Sequence, residues 1–324
     1  MKLIPSFLKN NSASTRTVKQ RTIAKPVSAT GIGLHSGKKV SIKLYPAAEN
    51  SGITYVRTDL TPNAIIKMRP DKVIDTVLCT NIVNEDNIKV STVEHLTSAL
   101  SAFGIDNLLI EIDAPEIPIM DGSSYSFMFL LEEAGFIEQN SPKKFIKIKD
   151  VVRVEDGDKW AEFRPFSGFR FSFKISFDHP LIKNTNSSFI LDLNKKNYLE
   201  QISRARTFGF MSDIEKMRSM GLGLGGSLDS AIVLDEFNVL NPEGLRYPDE
   251  FVRHKVLDAV GDFYMSGHTI IGEMVAYKSG HRLNNMLLNK MLQTQEAYEE
   301  ITLGESIKDK NVYSESPIEN IILI

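Results

Sequence analysis

The residues best suited to chemistry lie between Pro248 and Gly267, where the flanking proline and glycine predict a helix. His254, Asp258 and Asp262 follow one another at intervals of four residues and therefore share one face of that helix. A neutral imidazole and a carboxylate at this spacing are a suitable pair of zinc ligands. The alternative for this helix alone is a solvated face that carries an ordinary charge pair.

A second candidate pair, Glu94 and His95, follows Thr92 in the sequence. We expect Thr92 to be the N-cap of a helix, which places both residues in its first turn. Adjacent helical residues point about 100° apart, so His95 can bind a metal while Glu94 lies beside the attacking water. Three protein ligands, an open position and a nearby base make a hydrolytic zinc site. The alternative is a half-buried structural histidine beside an acid that the helix dipole favours.

Both halves of the chain place a ligand candidate at the same distance before a glycine. His95 lies nine residues before Gly104, and Asp258 lies nine residues before Gly267. A short apolar run that predicts a strand follows each glycine. This repetition indicates two related modules that face each other across a shared site.

Composition limits the class of function. With 324 residues, of which 42% are hydrophobic, the chain is long enough for two domains with folded cores. The formal net charge of −3 argues against nucleic-acid binding. Cys79 is the only cysteine, and we expect it to be a small buried hydrophobe. Because the sequence contains no integral membrane segment and no recognisable signal peptide, we expect a cytoplasmic monomer.

The order of the predicted elements indicates an α+β fold. Strands gather before helices in both halves, which favours this class over a doubly wound parallel sheet. A hairpin is predicted over residues 20–45, helices near 94, 124–135, 197–206, 248–265 and 281–298, and strands at 145–149, 151–155, 160–164, 169–177 and 269–277. The predicted organisation is a disordered tail at 1–17, a first module at 18–140, a second module at 145–304 and a C-terminal tail at 305–324.

Six longer strings occur together and in order from about residue 18 to residue 300. They are Thr30-Gly-Ile-Gly-Leu-His-Ser-Gly37, Ser91-Thr-Val-Glu-His-Leu96, Ala114-Pro-Glu-Ile-Pro-Ile-Met-Asp-Gly-Ser123, Ile202-Ser-Arg-Ala-Arg-Thr-Phe-Gly-Phe210, Phe251-Val-Arg-His-Lys-Val-Leu-Asp258 and Lys278-Ser-Gly-His281. In these strings the chain resembles the UDP-3-O-acyl-N-acetylglucosamine deacetylases, the zinc amidases of lipid A synthesis in Gram-negative bacteria. The resemblance implies two β-α-α-β modules that pack helix layer against helix layer, with a small inserted element in each.

The resemblance also implies a zinc centre. His95, His254 and Asp258 would hold one zinc ion per chain. Glu94 would be the general base that takes a proton from the attacking water, and the Thr207 hydroxyl would donate to the developing oxyanion. Ferrous iron would tolerate the same two imidazoles and carboxylate.

Three further residues acquire roles from the resemblance. His281 would be protonated and would give its proton to the leaving amine. Asp262 would hold the pKa of His281 up, since a nearby carboxylate favours imidazolium. Lys255 would add positive potential. Taken singly, the alternative for His281 is the N-cap region of the last helix.

Substrate contacts are expected from both ends of the implied substrate. UDP needs lysines and an aromatic platform, and a 3-hydroxyacyl chain needs a dry groove. The segment 208–234 fits an insert that forms this passage. Its glycine string at 221–226 follows a helix and lacks a Gly-Lys-Ser/Thr ending, so it is not a nucleotide P-loop. The expected substrate-binding residues are Phe208, Lys278, Lys159, Phe177, Ile214, Gly226 and Ser227.

The function implied by the resemblance is zinc-dependent hydrolysis of the N-acetyl group of UDP-3-O-(3-hydroxyacyl)-N-acetylglucosamine. The products would be acetate and the 2-amino sugar nucleotide, in the committed step of lipid A synthesis. Two alternatives remain open at this point. One is a zinc hydrolase of the same fold that acts on another acylated sugar nucleotide, and the other is a catalytically silent sugar-nucleotide binder.

Overall fold

The computed structural model describes residues 15–306, and this part of the chain contains both helices and several sheets. Its helices are α1 (Glu94–Phe103), α2 (Tyr125–Ala134), α3 (Pro180–Lys183), α4 (Lys195–Gln201), α5 (Met211–Ser219), α6 (Glu250–Tyr264) and α7 (His281–Gln293). Its strands are β1 (Thr15–Thr17), β2 (Lys19–Ile23), β3 (Val27–Ile32), β4 (Lys39–Pro46), β5 (Ile53–Arg57), β6 (Ala64–Lys67), β7 (Val73–Asp75), β8 (Asn81–Val83), β9 (Lys89–Val90), β10 (Leu108–Ile112), β11 (Phe136–Pro142), β12 (Lys144–Ile148), β13 (Val152–Asp156), β14 (Lys159–Arg164), β15 (Phe169–Lys174), β16 (Ser188–Asp192), β17 (Phe208–Phe210), β18 (Ile232–Leu234), β19 (Thr269–Tyr277), β20 (Tyr298–Thr302) and β21 (Gly304–Ser306).

A five-stranded sheet in the order β3-β4-β10-β5-β6 supports the first half of the chain. Strand β10 pairs antiparallel with β4 and parallel with β5, and its side chains alternate between buried and half-buried. A short sheet of β7, β8 and β9 precedes α1. Every residue of α1 is buried, and Gly104 ends the helix in the left-handed conformation at φ 62°. The large sheet and the short sheet thus place Glu94 and His95 inside the molecule.

A seven-stranded sheet supports the second half. Strand β19 lies at its centre, where it pairs antiparallel with β14 and parallel with β12 and β15. Helix α6 follows the insert and packs one face against this sheet, with Phe263 in edge-on contact with Phe163 of β14. All but two residues of α6 are buried, so its ligand candidates also lie inside the molecule.

The two halves meet where α6 crosses the beginning of α1. The approach is so close that a Cβ atom on Gly261 would lie 2.1 Å from the backbone oxygen of Glu94. One turn further along α1, the Ser98 hydroxyl donates to the Leu257 carbonyl oxygen over 2.8 Å. Only glycine fits this crossing, and the crossing brings the first turn of α1 beside the polar face of α6.

Most predicted elements agree with the structure, including the hairpin of β3 and β4, the helices α1, α2, α6 and α7, and the strands β10 and β19. The boundary predicted at 140–144 lies where β11, which pairs with β2, is followed by β12, which pairs with β19. Two other expectations were wrong in detail. Residues 15–17, assigned to a disordered tail, form β1 and pair with β21, whereas residues 1–14 lie outside the described range. Thr92 is not the N-cap of α1: Val93 is, and the Thr92 hydroxyl instead donates to Glu116.

No helix within residues 15–306 is both long enough and apolar enough to cross a bilayer.

Candidate active site

His95, His254 and Asp258 converge at the crossing of α1 and α6. One potential ligand atom from each residue lies within 4.8 Å of the others. Asp258 Oδ1 lies 3.5 Å from His95 Nε2 and 3.3 Å from His254 Nε2. All three side chains are buried. The structure therefore brings together, from both halves of the chain, the set that the sequence predicted as metal ligands.

The unsatisfied atoms of this cluster fit a divalent cation. Asp258 is the only acid of the three, and its Oδ1 is buried without a hydrogen-bond partner among the described residues. His254 Nδ1 donates to the Ala205 carbonyl oxygen over 3.1 Å, which leaves Nε2 with a free lone pair that points to the cluster. A histidine ligand usually has such a partner for its other nitrogen. Two imidazoles and one carboxylate are a donor set that zinc accepts in catalytic sites.

Burial and charge keep these groups in the ionisation states that ligands need. Burial lowers the pKa of His254 to about 3, so the imidazole is neutral near pH 7. Burial opposes the ionisation of Asp258, but the charged groups around it, among them Lys255, outweigh this effect, and the pKa of Asp258 lies well below its usual value. The Lys255 ammonium binds Asp258 Oδ2 over 2.5 Å. Lys255 thus occupies the outer oxygen and leaves Oδ1 directed at the histidines.

A buried ion pair holds the segment that carries the Ala205 carbonyl. Arg206 donates through its backbone N–H and its Nε to Glu250 Oε1, each over 3.0 Å. Both side chains are fully buried or nearly so, and Glu250 lies in the first turn of α6. Because His254 is one helical turn further along, this pair fixes the position of Ala205 relative to His254.

Glu94 and His281 face each other beside the metal-ligand cluster. His281 Nε2 lies 3.8 Å from Glu94 Oε1 and 3.8 Å from Asp258 Oδ2. Burial raises the pKa of Glu94, which favours a carboxylate that accepts a proton readily. Burial alone would lower the pKa of His281, but Asp262 and Glu94 raise it to about 9. The geometry thus supplies a basic carboxylate next to a protonated imidazole.

Asp262 is the partner of the other His281 nitrogen. His281 Nδ1 donates to Asp262 Oδ2 over 2.9 Å, and Asn284 Nδ2 donates to the same oxygen over 2.9 Å. Thr80 donates to Asp262 Oδ1 over 2.6 Å. The sequence did not predict a role for Thr80 or Asn284, because neither residue type at those positions indicates a catalytic or metal-binding function. Only the folded chain brings them to Asp262.

A cavity of about 250 Å³ opens from the cluster. Thr207 and Phe208 line it, together with Phe177 and Lys255. The backbone N–H of Thr207 donates to the Gly122 carbonyl oxygen over 2.8 Å, so the first half of the chain fixes this position. The rings of Phe177 and Phe208 pack edge to face, 5.4 Å apart. The arrangement places Thr207 and an aromatic pair in the lining of the cavity beside the metal ligands.

A second cavity of about 140 Å³ adjoins the first and shares Thr207 and Phe208 with it. Most of the residues that line it belong to the predicted insert, among them Ile214, Met217, Gly226 and Ser227. Helix α5 and the loop after it form this side of the cavity.

Backbone groups join the insert to the first half of the chain. Gly225 N–H donates to the Leu34 carbonyl oxygen over 3.0 Å, and Leu224 N–H donates to the His35 carbonyl oxygen over 3.2 Å. A Cβ atom on Gly225 would lie 2.2 Å from the Gly33 carbonyl oxygen. The loop at 223–226 therefore lies directly on the hairpin turn at 33–37 and closes one side of the cavity.

Two expected substrate contacts lie apart from these cavities. Neither Lys159 nor Lys278 lines the cavity at the cluster or the cavity beside it. Lys278 forms an ion pair with Asp158, and Lys159 begins β14 with an exposed side chain. The structure places both lysines at the end of the second sheet, near the strand that leads to His281.

Comparison with known proteins shows the family. The sequence model of the family described as UDP-3-O-acyl N-acetylglycosamine deacetylase matches residues 20–293. The chain belongs to this deacetylase family. The match includes every cluster residue from Glu94 to His281, and it confirms the resemblance drawn from the six sequence strings.

Curated deacetylases are similar over most of the chain. A UDP-3-O-acyl-N-acetylglucosamine deacetylase from Haemophilus influenzae (strain PittEE) is 57% identical over 288 residues, which cover 89% of this chain and 94% of that protein. The enzyme of the same name from Pasteurella multocida (strain Pm70) is 56% identical, with the same coverage. The one from Vibrio vulnificus (strain YJ016) is 55% identical over 298 residues, which cover 92% of this chain and 98% of that protein.

Proposed function

We propose that the chain hydrolyses the N-acetyl group of UDP-3-O-(3-hydroxyacyl)-N-acetylglucosamine and releases acetate and the 2-amino sugar nucleotide. The observation that carries this proposal is the buried cluster of His95, His254 and Asp258 with Glu94 and His281 beside it, in a chain whose relatives bear the deacetylase name. The chain is accordingly a hydrolase that acts on an amide bond, in the committed step of lipid A synthesis.

We propose zinc as the resident ion, held by His95, His254 and Asp258. Support comes from the orphaned Asp258 Oδ1 and from the neutral state of His254. When bound, zinc supplies Lewis acidity, which makes hydroxide available near neutral pH and polarises a carbonyl oxygen. Lys255 keeps the Asp258 carboxylate ionised for this role.

Glu94 and His281 divide the proton transfers between them. Glu94 takes a proton from the attacking water through Oε1, the oxygen that faces His281. As the acetamide C–N bond breaks, His281 gives its Nε2 proton to the leaving nitrogen, which becomes the free amine. Asp262 keeps His281 protonated and fixes the orientation of its ring through Nδ1.

Thr207 and Lys255 stabilise charge during the reaction. Thr207 lines the cavity, and its hydroxyl would donate to the oxyanion that develops on the acetyl group. Such a donor is typically worth about 100- to 1000-fold in rate. The Lys255 ammonium adds positive potential from the same wall.

The substrate would extend from the cluster in two directions. Phe177 and Phe208 offer the aromatic platform for the nucleotide end, and Lys159 and Lys278 supply positive charge for the phosphates from the end of the second sheet. The 3-hydroxyacyl chain would enter the adjoining cavity between Ile214 and the glycine-rich loop of Gly226 and Ser227.

The finer description of the fold is part of the same proposal. We propose that residues 18–140 and 145–304 are two copies of one β-α-α-β module that pack helix layer against helix layer. The close crossing of α1 and α6 supports this arrangement, as does the equal spacing from His95 to Gly104 and from Asp258 to Gly267. Segment 208–234 would be the insert of the second module.

The decisive experiment measures metal content and acetate release on the same purified full-length protein. We expect about one zinc per chain and the release of acetate from UDP-3-O-(3-hydroxyacyl)-N-acetylglucosamine. Chelation should abolish acetate release, and added zinc should restore it. The control is the same sugar nucleotide without the 3-O-acyl group, which cannot fill the adjoining cavity and should react more slowly. Zinc-loaded protein that releases no acetate from the acylated substrate would remove the proposed function, and activity with a different acylated sugar nucleotide alone would replace it.

A further inference from the structure

Thr80 touches both carboxylates that flank His281. Its backbone N–H donates to Glu94 Oε2 over 3.0 Å, and its hydroxyl donates to Asp262 Oδ1 over 2.6 Å. The residue is 1% exposed and does not line the cavity at the cluster, although its neighbour Cys79 does. Thr80 is therefore in contact with the catalytic carboxylates but not with the space that substrate would occupy.

We propose that Thr80 is a positioning residue for the deacetylation, an inference that rests on the proposed function. Glu94 begins α1 in the first half of the chain, whereas Asp262 lies on α6 in the second half. Thr80 belongs to neither helix and binds a carboxylate on each. It thereby sets the distance between the proton acceptor, Glu94, and the group that orients the proton donor, His281.

The hydrogen atoms around Asp262 can be assigned from the distances. The single Thr80 hydroxyl hydrogen goes to Asp262 Oδ1 at 2.6 Å, since the alternative partner, His281 Nδ1, is 3.3 Å away. Asp262 Oδ2 then accepts from His281 Nδ1 and from Asn284 Nδ2. Each carboxylate oxygen has a fixed donor, so the carboxylate cannot rotate. Without the hydroxyl, Asp262 Oδ1 would lose its shortest donor and the His281 ring would lose its fixed orientation.

The backbone of Thr80 stays in place without its side chain. Its N–H is bound to Glu94 Oε2, and its carbonyl oxygen accepts from Val93 N–H over 3.4 Å. Strand β8 begins at the next residue and pairs with β7 and β9. A side-chain substitution at Thr80 should therefore alter the contact with Asp262 and leave the contact with Glu94 intact.

Thr80→Val removes the hydroxyl and keeps the shape of the side chain. A hydrogen bond to a charged group contributes enough that we expect kcat to fall about 10- to 100-fold. We expect KM to change by less than about threefold, because Thr80 does not line the cavity, and zinc content to stay at the wild-type value. Thr80→Ser restores the hydroxyl and should recover most of kcat.

The matched control is Thr97→Val. Thr97 is also fully buried, but its hydroxyl donates to the Val93 carbonyl oxygen of its own helix and takes no part in the contacts with Asp262. This variant loses the same atom, and we expect its kcat to stay near the wild-type value. A fall in kcat as large as that of Thr80→Val would mean that any buried threonine hydroxyl has this effect, and it would overturn the proposal.

A double-mutant cycle gives the sharpest result. Because the hydroxyl acts through Asp262, Thr80→Val should lower kcat less than about twofold in an Asp262→Ala background. If the fold-losses in kcat of Thr80→Val and Asp262→Ala multiplied in the double mutant, the proposal would be contradicted. The same holds if Thr80→Ser had a kcat as low as that of Thr80→Val. Inactivity of the zinc-loaded wild-type protein would instead refute the proposed function, and this measurement precedes any comparison of variants.

Discussion

Gly261→Ala tests the crossing of the two helices on which the whole site depends. The added carbon would lie 2.1 Å from the Glu94 backbone oxygen, and ordinary contact begins at 3.4 Å, so α6 and α1 must move apart by about 1.3 Å. The obstructing atoms belong to the backbone of a fully buried helix and cannot rotate away. Glu94 and His95 lie on one side of the gap, and Asp258 lies on the other. The separation therefore enters directly into the geometry of the site.

Two magnitudes follow from this displacement. Overpacking of a close contact lowers the free energy of unfolding by about 1–3 kcal/mol. Alanine has a higher helix propensity than glycine, which offsets up to about 1 kcal/mol of this loss. A misplacement of about 1 Å between reacting groups costs on the order of 100-fold in rate. We therefore expect a modest loss of stability together with a fall of about 100-fold in kcat.

Denaturant unfolding and acetate release measure the two effects separately. The control is Gly52→Ala, just before β5, where φ is +67° and an added carbon meets nothing within 4 Å. Backbone strain should lower its stability by about 1–2 kcal/mol while kcat stays unchanged, because Gly52 hydrogen-bonds to Asn107, beyond the end of α1 that is opposite Glu94. If Gly261→Ala showed wild-type stability and rate, the argument that only glycine fits this crossing would be wrong.

Two further predictions concern individual contacts. Glu94→Ala should keep the zinc and lose at least about 100-fold in kcat, whereas His254→Ala should lose both zinc and activity. Metal analysis and acetate release measure these two effects. A Glu94→Ala protein with the wild-type rate would contradict the assignment of Glu94 as the general base. Glu250→Gln should lower the free energy of unfolding by about 3 kcal/mol, because Arg206 loses its buried counter-charge. It should also weaken zinc binding about 10-fold in chelator competition, since the segment that holds His254 is released. Glu243→Gln, which changes the half-exposed partner of Arg206, should cost less than about 1 kcal/mol, and an equal cost would contradict the reasoning.

One part of the metal-ligand cluster, the pair of His254 and Asp258, was predictable because its spacing is local. Two residues four apart on a helix share a face whatever the rest of the chain does, so His254 and Asp258 could be paired from the sequence alone. The glycine stop at Gly104 was predictable for a similar reason, since glycine adopts the left-handed conformation without strain.

Thr80 and Thr92 show what the sequence left undetermined. Thr80 contacts Asp262, which is 182 residues away, and nothing in the sequence around Thr80 distinguishes it from other threonines of the chain. Thr92 has the residue type of an N-cap, but it lies one residue before the true N-cap, Val93. Its φ is 56°, and its hydroxyl binds Glu116 and not the helix backbone. In both cases a tertiary partner decides the role, and local propensity cannot supply that partner.

The contact between the loop at 223–226 and the turn at 33–37 has a consequence for how acyl-chain preference can diverge. Backbone hydrogen bonds make this contact, and the close approach of the two segments restricts both Gly225 and Gly37. Ile214 and Met217 line the same cavity, and their side chains make none of the hydrogen bonds between the loop and the turn. Natural variants can therefore change the length and width of the passage at those two positions and still keep the backbone contact between the two halves.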